Sequence, residues 1–487
     1  MAPLLTEVPT TTTPEAVAER LAGEPGVVLL RSALFDSPRL ARHSFVAARP
    51  FLTFRATGSR CELAPAEGVP TTQFGNPWHV LDGLMARYEL LDEVDLPFPL
   101  GGCFGFWGYD LKNFVEPRLP RRALNDLELP DGQVGFYDSL LVFDHQLGRT
   151  WIVSTGMRPD GSRDAGVALE RLDWWRQILA DETHGVRPAP DARGEASVPR
   201  SNFTREEFLA VIGRAQRYIR AGDIYQVNLA QRFHSRLSGG GWEFFQRLTA
   251  VSPAPFAAYL NGGDFQIVSS SPELFLRLSG SHIETRPIKG TRPRASDPTR
   301  DAQLTYELQT SPKEMAELVM ITDLLRNDLG RVCEYGSVQV PELVRLERYP
   351  QVQHLVSTVE GRLLAGVTHF EALARCFPGG SITGAPKIRA MEIIDELEPV
   401  TRGPYTGCIG YLGFNRESQL SIAIRTAVCR QGHVWFHAGA GIVADSQPEA
   451  EYDETVAKAA GFFQALNLQN IPPIGAETER SRRPLPG

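Results

Sequence analysis

The segment Arg286-Pro-Ile-Lys-Gly-Thr291 places a lysine between Pro-Ile and Gly-Thr, so that the backbone itself positions the amine. A lysine amine in water has a pKa of about 10.4 and is mostly protonated at neutral pH. It becomes a nucleophile only where a pocket or a neighbouring charge lowers that pKa. Lys289 is therefore either a nucleophile or a surface lysine in a turn, which is the common outcome for a Lys-Gly pair. The rest of the chain favours the first interpretation.

Length and composition indicate a globular enzyme. The chain has 487 residues, of which 42% are hydrophobic, and this is enough for two or three domain-sized units. The net charge of -8 and the lack of any lysine or arginine block argue against nucleic-acid binding. An anionic substrate would therefore need a local basic site.

The cysteines and the N-terminus predict a cytoplasmic protein. The six cysteines are scattered, with no Cys-x-x-Cys pair and no histidine cluster at zinc spacing, so reduced thiols are expected. Residues 1–14 lack a basic start followed by an apolar stretch, and no apolar run approaches membrane length. We expect a soluble, cytoplasmic chain without a membrane partner.

Proline, glycine and charge divide the chain into four segments. Residues 181–201 carry proline and glycine among charges, without apolar periodicity, and we interpret them as a linker or excursion. Residues 1–180 contain short apolar runs separated by glycine and proline, which predicts a β-rich N-terminal module. Residues 202–466 mix helical and strand patterns, which predicts an α/β module, and residues 467–487 form a tail.

Capping residues and apolar spacing predict individual elements. One helix is expected from Ala165 to Leu179. Other helix starts are marked by a serine or threonine followed three residues later by glutamate, namely Thr204/Glu207, Ser311/Glu314, Thr368/Glu371 and Ser446/Glu449. Strands are expected at residues 265–270, 419–429 and 433–438.

Two predicted helices each carry a Glu-x-x-Glu pair, Glu314 with Glu317 and Glu451 with Glu454. The i,i+3 spacing puts both carboxylates of a pair on one side of a helix. If the helices face each other, these oxygen ligands favour magnesium, which accepts one or two carboxylates together with water and substrate oxygens. The alternative is that glutamates in a first turn only complement the helix dipole. Lys458, four residues after Glu454, either pairs with that glutamate or reaches an anionic ligand.

A glycine-rich segment, Pro378-Gly-Gly-Ser-Ile-Thr-Gly-Ala-Pro-Lys387, runs into a predicted helix. It either brings free N–H groups to a carboxylate or phosphate, or is a tight turn before the helix. It is not a P-loop, because the spacing Gly-x4-Gly-Lys-Ser/Thr is missing. Gly439-Ala-Gly441 is no dinucleotide site either, because the next helix starts too late. Cys408 lacks the first glycine of a glutaminase elbow and is expected to be buried and inert.

A series of motifs in one order, from about Asn202 to Leu466, resembles the chorismate-utilising enzymes. This group contains anthranilate synthase large subunits, isochorismate and salicylate synthases, and aminodeoxychorismate synthase component I. The motifs are Asp223-Ile-Tyr-Gln-Val-Asn-Leu-Ala-Gln231, Ser271-Pro-Glu273, Pro287-Ile-Lys-Gly-Thr291, Asp323-Leu-Leu-Arg-Asn-Asp328, Gly384-Ala-Pro-Lys387, Ile424-Arg-Thr426 and Gly439-Ala-Gly441. Any one motif is weak, but the ordered set is specific. Residues 1–180 resemble the N-terminal domain of that family.

The resemblance implies a fold and a set of site residues. The fold is α/β of the α+β kind, with large antiparallel sheets packed in a core and helices outside. Magnesium would be bound by Glu317 and Glu454, with Glu314 and Glu451 nearby through water, and would grip a substrate carboxylate. Arg425 offers a planar fork suited to a carboxylate, whereas His354 is otherwise a satisfied core histidine. The substrate-contacting positions of the family map onto Gly290, Thr291, His354, Ser381, Tyr405, Arg425, Gly439, Gly441 and Lys458.

Three positions bear on the branch of the family. Glu273 corresponds to the general acid that assists departure of the C4 hydroxyl of chorismate, and its pKa would be raised by its site neighbours and by closure from water. At position 289 the aminodeoxychorismate synthases carry lysine, as here, whereas anthranilate synthases resemble Pro-Ile-Ala-Gly-Thr. Gln226 stands where isochorismate- and salicylate-forming enzymes have a lysine base, so attack of water at C2 is not expected.

Resemblance to the aminodeoxychorismate synthases implies a covalent route. Lys289 attacks C2 of magnesium-bound chorismate while Glu273 protonates the leaving hydroxyl, and ammonia then adds at C4 as the lysine leaves. The product is 4-amino-4-deoxychorismate, the precursor of 4-aminobenzoate for folate. Because the chain has no glutaminase elbow, a separate glutamine amidotransferase subunit and a heterodimer are implied.

Two rival functions are open. An anthranilate synthase large subunit would place ammonia at C2 and expel pyruvate. A silent paralogue would only bind its amidotransferase partner, but clustered carboxylates repel one another and have no use in a silent copy. The tryptophan-binding Leu-Leu-Glu-Ser signature of the family appears as Leu29-Leu-Arg-Ser32, and arginine in place of glutamate argues against tryptophan feedback.

Overall fold

A computed structural model describes residues 2–32, 42–90, 96–181, 198–349 and 352–467. Most of the predicted linker and tail therefore falls outside the described residues. Short helical turns of the 3-10 type lie at Tyr109–Leu111 and Gly380–Ile382. The α-helices are α1 Pro14–Leu21, α2 Pro77–Tyr88, α3 Lys112–Val115, α4 Ala165–Ala180, α5 Arg205–Arg220, α6 Gly241–Val251, α7 Pro298–Gln309, α8 Pro312–Gly330, α9 His369–Cys376, α10 Lys387–Leu397 and α11 Pro448–Ala465.

The strands are short and spread over the whole described chain. They are β1 Leu4–Glu7, β2 Val28–Arg31, β3 His43–Ala47, β4 Leu52–Thr57, β5 Arg60–Pro65, β6 Thr71–Phe74, β7 Gly102–Trp107, β8 Gly132–Tyr137, β9 Ser139–Asp144, β10 Arg149–Ser154, β11 Arg200–Ser201, β12 Gln226–Arg236, β13 Phe256–Asn261, β14 Gln266–Ser271, β15 Leu274–Ser279, β16 His282–Arg286, β17 Ile288–Pro293, β18 Gln339–Arg348, β19 Val352–Arg362, β20 Gly384–Ala385, β21 Cys408–Gly413, β22 Glu417–Ile422, β23 Thr426–Arg430 and β24 His433–Ile442.

Two large antiparallel sheets form the scaffold, which confirms the predicted fold class. Each sheet contains 12 strands. Sheet A has the order β1-β10-β9-β3-β2-β13-β14-β23-β24-β12-β11, with β20 beside β12. Sheet B has the order β17-β19-β16-β15-β22-β21-β7-β8-β4-β5-β6, with β18 beside β19.

Both sheets combine strands from before and after the predicted linker. In sheet A, Leu29 of β2 lies opposite Tyr259 of β13. In sheet B, Phe104 of β7 lies opposite Tyr411 of β21. The two regions therefore share hydrogen-bonded sheets, while the division into residues 1–180 and 202–466 stays a prediction about the sequence.

The largest apolar core contains residues of both sheets. The ring of Phe45 on β3 of sheet A meets the ring of Tyr411 on β21 of sheet B, with centroids 5.0 Å apart. Phe104 on β7 stacks on the same tyrosine at 5.3 Å. Burying each such aromatic side chain contributes about 1.5–3 kcal/mol. The sheets are therefore held face to face by interleaved side chains.

Helices cover the outer face of sheet A. Trp175 of α4, Phe244 of α6 and Phe462 of α11 belong to one buried cluster with side chains of β12 and β24. The rings of Phe462 and Phe436, which is on β24, have centroids 4.3 Å apart. Helix α11 is therefore anchored on β24, and its glutamates keep a fixed position relative to that strand.

Most predicted elements are confirmed, and two predictions are wrong. Helices α4, α5, α8 and α9 begin where the sequence places them. Ser446 does not cap α11, because the helix begins at Pro448, and the serine hydroxyl donates to Glu451 instead. The strand expected at 419–429 is interrupted at Arg425, whose φ of 49° breaks the extended backbone and separates β22 from β23.

The cysteines are as the sequence predicts. All six are free and buried. Burial raises the pKa of Cys408 well above its ordinary value, so its thiol stays neutral and unreactive. Within the described ranges, no helix combines the length and the apolar character that crossing a membrane requires.

Candidate active site

Two connections between the sheets run side by side at the candidate site. The chain leaves sheet A at Ser271 and enters sheet B at Leu274, and Glu273 lies in this connection. Arg425 lies in another connection, which leads from β22 of sheet B to β23 of sheet A. The backbone N–H of Ser270 donates to the carbonyl of Arg425 at 3.0 Å. A carboxyl and a guanidinium are therefore both placed at the junction of the sheets.

Glu273 is a buried carboxyl with a raised pKa. Its residue is 6% exposed, and it accepts a hydrogen bond from Oγ of Ser381 at 2.6 Å. Burial raises the pKa of Glu273 to about 7, whereas Ser381, Lys289 and Lys458 lower it. Closure from water therefore raises this pKa as predicted, whereas the contribution expected from site neighbours is wrong, because those neighbours oppose the rise. A carboxyl with this pKa can donate a proton near neutral pH.

Lys289 lies on the edge strand β17 beside a bulge. Opposite it on β19 is Leu355, and opposite Thr291 is His354, with a shift of register between the two pairs. Gly290, within the bulge, has a φ of 70°, a conformation that glycine adopts without strain. The Lys-Gly pair therefore belongs to a bulged strand, and the alternative of an ordinary surface turn is wrong.

The amine of Lys289 lies between the buried carboxyl and helix α8. Its Nζ is 3.9 Å from Oε2 of Glu317, and the lysine side chain is 17% exposed. A Cβ placed on Gly441 would lie 2.9 Å from Nε2 of Gln226 and 3.9 Å from the same Nζ, so this glycine lets β24 pass close to the amine. The ammonium is also near enough to Glu273 to influence its pKa.

Strand β24 passes close beneath Tyr405. A Cβ on Gly439 would lie 2.7 Å from Oδ1 of Asn228 and 2.9 Å from the hydroxyl of Tyr405, so only glycine fits. The tyrosine ring stacks on His437, with centroids 5.0 Å apart. Nζ of Lys458 donates to the carbonyl of Gly439 at 2.9 Å. These contacts place Tyr405 and Lys458 at the same stretch of β24 as Gly441, which lies beside the amine of Lys289.

Lys458 forms the salt bridge that its spacing allows. Its Nζ lies 2.7 Å from Oε1 of Glu454, and both side chains are nearly half exposed. An exposed pair of this kind contributes little to stability. Because the same ammonium also reaches β24, it connects α11 to the strand that carries Gly439 and Gly441.

The glutamates of α8 and α11 share one space. Nζ of Lys313 lies 3.9 Å from Oε1 of Glu317 and 3.9 Å from Oε1 of Glu451, so one ammonium bridges the two helices. Burial is the main cause that raises the pKa of Glu317, and repulsion from Glu314 and Glu454 adds to it. The predicted facing arrangement of the two Glu-x-x-Glu pairs is therefore what the helices adopt.

These carboxylates fit a hard divalent cation. Burial and repulsion raise the pKa of Glu317 and of Glu451, so a positive charge between them is favoured. Lys313 places an ammonium in that position. The described part of the chain contains no group of three or more His, Cys, Asp or Glu side chains gathered around one point. Carboxylate oxygens of this kind are ligands that Mg²⁺ accepts together with water and substrate oxygens.

His354 is a satisfied and neutral histidine. Its Nδ1 lies 2.8 Å from Oγ1 of Thr291, and its ring also bonds to the backbone of Gly290. Burial and the nearby guanidinium of Arg425 lower the pKa of His354 to about 4. The protein contacts of this residue are therefore those of the core-histidine alternative.

Arg425 has a guanidinium that the protein leaves unpaired. The residue is half-buried, and its side chain forms no hydrogen bond or ion pair with the residues that the structure describes. Burial lowers the pKa of Arg425. A half-buried guanidinium without a protein partner suits a bound carboxylate.

The structure brings the predicted site residues into one cluster and adds two that the sequence interpretation missed. Lys313 could have been found from the sequence, because it lies four residues before Glu317 and therefore on the same face of the helix. His437 could also have been found, because side chains alternate along a strand and His437 lies on the same face of β24 as Gly439 and Gly441.

A separate small cavity of about 30 Å³ lies between the sheets. Arg31 and Ser32 line it together with His43 and Tyr411. Arg31 also forms an ion pair with Glu15. A guanidinium here would repel the ammonium group of an amino acid, which agrees with the sequence argument against tryptophan feedback. The absence of this feedback stays a prediction.

Comparison with known proteins identifies the class. The family described as chorismate binding enzyme matches residues 31–464. Aminodeoxychorismate synthase component 1 of Klebsiella aerogenes is 43% identical over 92% of this chain and 95% of that protein. Anthranilate synthase component 1 of Thermus thermophilus is 41% identical over 94% of this chain and 96% of that protein. The crystal structure of anthranilate synthase component I from Streptococcus pneumoniae TIGR4 has a TM-score of 0.74 and 31% identity, covering 87% of this chain and 92% of that chain.

The fold and the matched residues define an enzyme that uses chorismate. The chain belongs to the chorismate binding enzyme family. The resemblance found in the ordered motifs is thereby confirmed.

Proposed function

We propose that this enzyme is an aminodeoxychorismate synthase component I, a transferase that converts chorismate and ammonia to 4-amino-4-deoxychorismate. The observation that carries the proposal is the position of Lys289, whose amine lies beside Gly441 of β24, 3.9 Å from Glu317 and near Glu273. Relatives named for two different reactions are 43% and 41% identical to the chain, so overall identity does not choose between them. The lysine favours amination at C4, on the route to 4-aminobenzoate and folate.

In the first half of the proposed reaction, the unprotonated amine of Lys289 forms a bond to C2 of chorismate. The ring double bonds shift and the bond between C4 and its hydroxyl oxygen breaks. Glu273 gives its proton to that oxygen, which leaves as water, because burial keeps the carboxyl protonated up to a pKa of about 7. The attacking nitrogen then gives up a proton to the Glu273 carboxylate.

In the second half, ammonia forms a bond to C4 and the double bonds shift back. The bond between C2 and Lys289 breaks, and Glu273 returns a proton to the leaving amine. The net change adds one ammonia and releases one water, and the enolpyruvyl group stays on the ring. Covalent catalysis of this kind divides one difficult substitution into two easier steps.

The surrounding residues orient the substrate in this proposal. Arg425 binds a substrate carboxylate through its unpaired guanidinium. Gly439 and Gly441 let the ring approach β24 because neither position has room for a larger side chain beside its neighbours. The other proposed contacts are Gly290, Thr291, His354, Ser381, Tyr405 and Lys458.

The carboxylates of α8 and α11 serve a metal in this proposal. Glu317 and Glu454 would hold Mg²⁺, and Glu314 and Glu451 would lie nearby, linked to it through water. When bound, the ion supplies positive charge that neutralises a substrate carboxylate. Lys313, which bridges the two helices at 3.9 Å from each carboxylate, would give up that position.

Ammonia comes from a separate glutamine amidotransferase subunit in this proposal, and the working assembly is a heterodimer. The relatives carry the words component 1 in their names, which denote one part of a larger enzyme. Six free thiols fit the reducing conditions of a cytoplasm.

Product analysis tests the proposed reaction. With chorismate, an ammonium salt and Mg²⁺, we expect 4-amino-4-deoxychorismate as the main product and no release of pyruvate. Liquid chromatography with mass spectrometry and a pyruvate assay measure both. Fluorescent anthranilate together with pyruvate would instead establish an anthranilate synthase, and unconsumed chorismate would point to a silent paralogue.

Metal dependence tests the role of the glutamates. We expect Glu317→Gln to weaken Mg²⁺ binding by about 100-fold or more, because it removes one of few anionic oxygen ligands. Competition against Mn²⁺, followed by electron paramagnetic resonance, measures the affinity without turnover. Glu170→Gln, at an exposed position on α4, is the matched control and should leave the affinity unchanged. Equal affinities for all three proteins would contradict the assignment.

A further inference from the structure

A buried ion pair joins the end of α8 to the start of α10. Nζ of Lys387 donates to Oδ2 of Asp328 at 2.6 Å, and the two side chains are 11% and 5% exposed. The motifs that contain these residues have been given no part in the reaction so far. A buried pair of this kind adds little net stability compared with apolar side chains, so its use lies in fixing geometry.

The same ammonium holds both ends of one loop, residues 377–386. It donates to the carbonyl of Cys376 at 3.1 Å and to the carbonyl of Pro378 at 3.0 Å, both at the beginning of the loop. Lys387 itself follows directly after the end of the loop. All three donor positions of the ammonium are therefore used: one on Asp328, one on the last residue of α9 and one on the loop backbone at Pro378.

The 377–386 loop carries the hydroxyl that contacts the proposed proton donor. Oγ of Ser381 donates to Oε1 of Glu273 at 2.6 Å. The loop backbone packs closely against α8, because a Cβ on Gly380 would lie 2.5 Å from Cδ2 of Leu324. On the other side, a Cβ on Gly379 would lie 2.8 Å from Cδ1 of Ile422.

We propose that Asp328 and Lys387 are positioning residues, which hold the 377–386 loop so that Ser381 stays in hydrogen-bond contact with Glu273. The inference rests on the proposed function, because it gives the pair a role in proton donation to the leaving oxygen. Helix α8 then serves two ends of the site, since its first turns carry Glu314 and Glu317 and its last turns carry Asp328.

The expected signature follows from the groups that face Glu273. Lys289 on β17, Lys458 on α11 and Ser381 on the loop all lower the pKa of this carboxyl. If the loop moves and the serine contact is lost, the carboxyl keeps its proton to higher pH. In a plot of kcat against pH, the fall at high pH (the alkaline limb) must then move to higher pH. The value of kcat itself falls, because Glu273 is no longer oriented toward the leaving oxygen.

Variants of the pair test this role. We expect Lys387→Met and Asp328→Asn each to lower kcat for chorismate consumption about tenfold or more. The alkaline limb should move up by about half a pH unit or more, as it should in Ser381→Ala. Combining Lys387→Met with Ser381→Ala should give no additional shift, because both act through one hydrogen bond. Lys387→Arg, which keeps a positive charge, should have a higher kcat than Lys387→Met.

The control separates positioning from stability. Lys112→Met removes another buried lysine paired with an aspartate, at 3.3 Å from Asp110, and should lower the thermal midpoint without moving the limb. The inference is overturned if Lys387→Met leaves the alkaline limb at its original pH. It is also overturned if the double variant shows a shift equal to the sum of the shifts of Lys387→Met and Ser381→Ala. Asp328→Asn provides the test if Lys387→Met does not fold. Failure of the proposed function is seen separately, in the product made by the unchanged enzyme.

Discussion

Lys289→Ala is expected to lower the rate of 4-amino-4-deoxychorismate formation by on the order of 10³-fold or more, since removal of a covalent nucleophile leaves only binding and acid catalysis. The site should otherwise persist, because the lysine side chain lies on an edge strand and its loss opens no gap in the apolar core. We expect the residual product to shift toward amination at C2, since alanine stands at this position in the anthranilate synthase pattern. Quenched-flow kinetics with mass analysis of the products measures rate and regiochemistry together.

Lys313→Ala is the matched control for this variant. Its ammonium is also 3.9 Å from Glu317, but its side chain is 58% exposed and lies on the helix rather than beside Gly441. We expect a change of only a few-fold, from altered charge near the carboxylates. An unchanged rate and product in Lys289→Ala would remove the covalent route. A mass increase on Lys289 in enzyme trapped with chorismate would support it directly.

Glu273→Gln is expected to lower kcat by about 10²–10⁴-fold, the usual contribution of a positioned general acid. The amide has nearly the same shape and can still accept a hydrogen bond from Ser381, but it has no proton to give. We expect the alkaline limb near pH 7, which the raised pKa of Glu273 produces in the unchanged enzyme, to disappear. If the fall in kcat near pH 7 persists in Glu273→Gln, another group is responsible for it.

The same variant should be more stable than the unchanged enzyme above neutral pH. The folded pKa of Glu273 is raised from an ordinary value of 4.5 to about 7, so the folded state keeps a proton that the unfolded state loses. Stability is therefore lost as pH rises through this window, by on the order of 3 kcal/mol. Glu273→Gln should not show this loss of stability. Thermal unfolding of both proteins at pH 5 and at pH 8 measures the difference.

Ordered short motifs made much of the candidate site readable from the sequence. Lys289, Glu273 and the Glu-x-x-Glu pairs are chemically distinctive, and their spacing on helices follows from local geometry. The resemblance implies that Glu273 is closed off from water, but the place of that burial was not readable, because two sheets meet there through strands far apart in the sequence. The direction in which its neighbours act was misjudged for the same reason.

Local patterns failed where tertiary structure overrides them. Ser446 fits a capping pattern, yet Pro448 sets the start of the helix and the serine hydroxyl turns to Glu451. Residues 419–429 alternate like one strand, but the chain must pass from sheet B to sheet A, and Arg425 makes that passage with a positive φ. Neither the late start of α11 nor the interruption at Arg425 can be predicted from a short stretch of sequence.

The interleaving of early and late strands has a consequence for synthesis. Strands β2 and β7 emerge from the ribosome long before β13 and β21, the neighbours that complete their hydrogen bonds. A nascent chain that ends before β24 therefore exposes open sheet edges and the apolar faces behind them. The polypeptide should need protection by a chaperone until nearly its whole length has been translated, and neither half should mature alone.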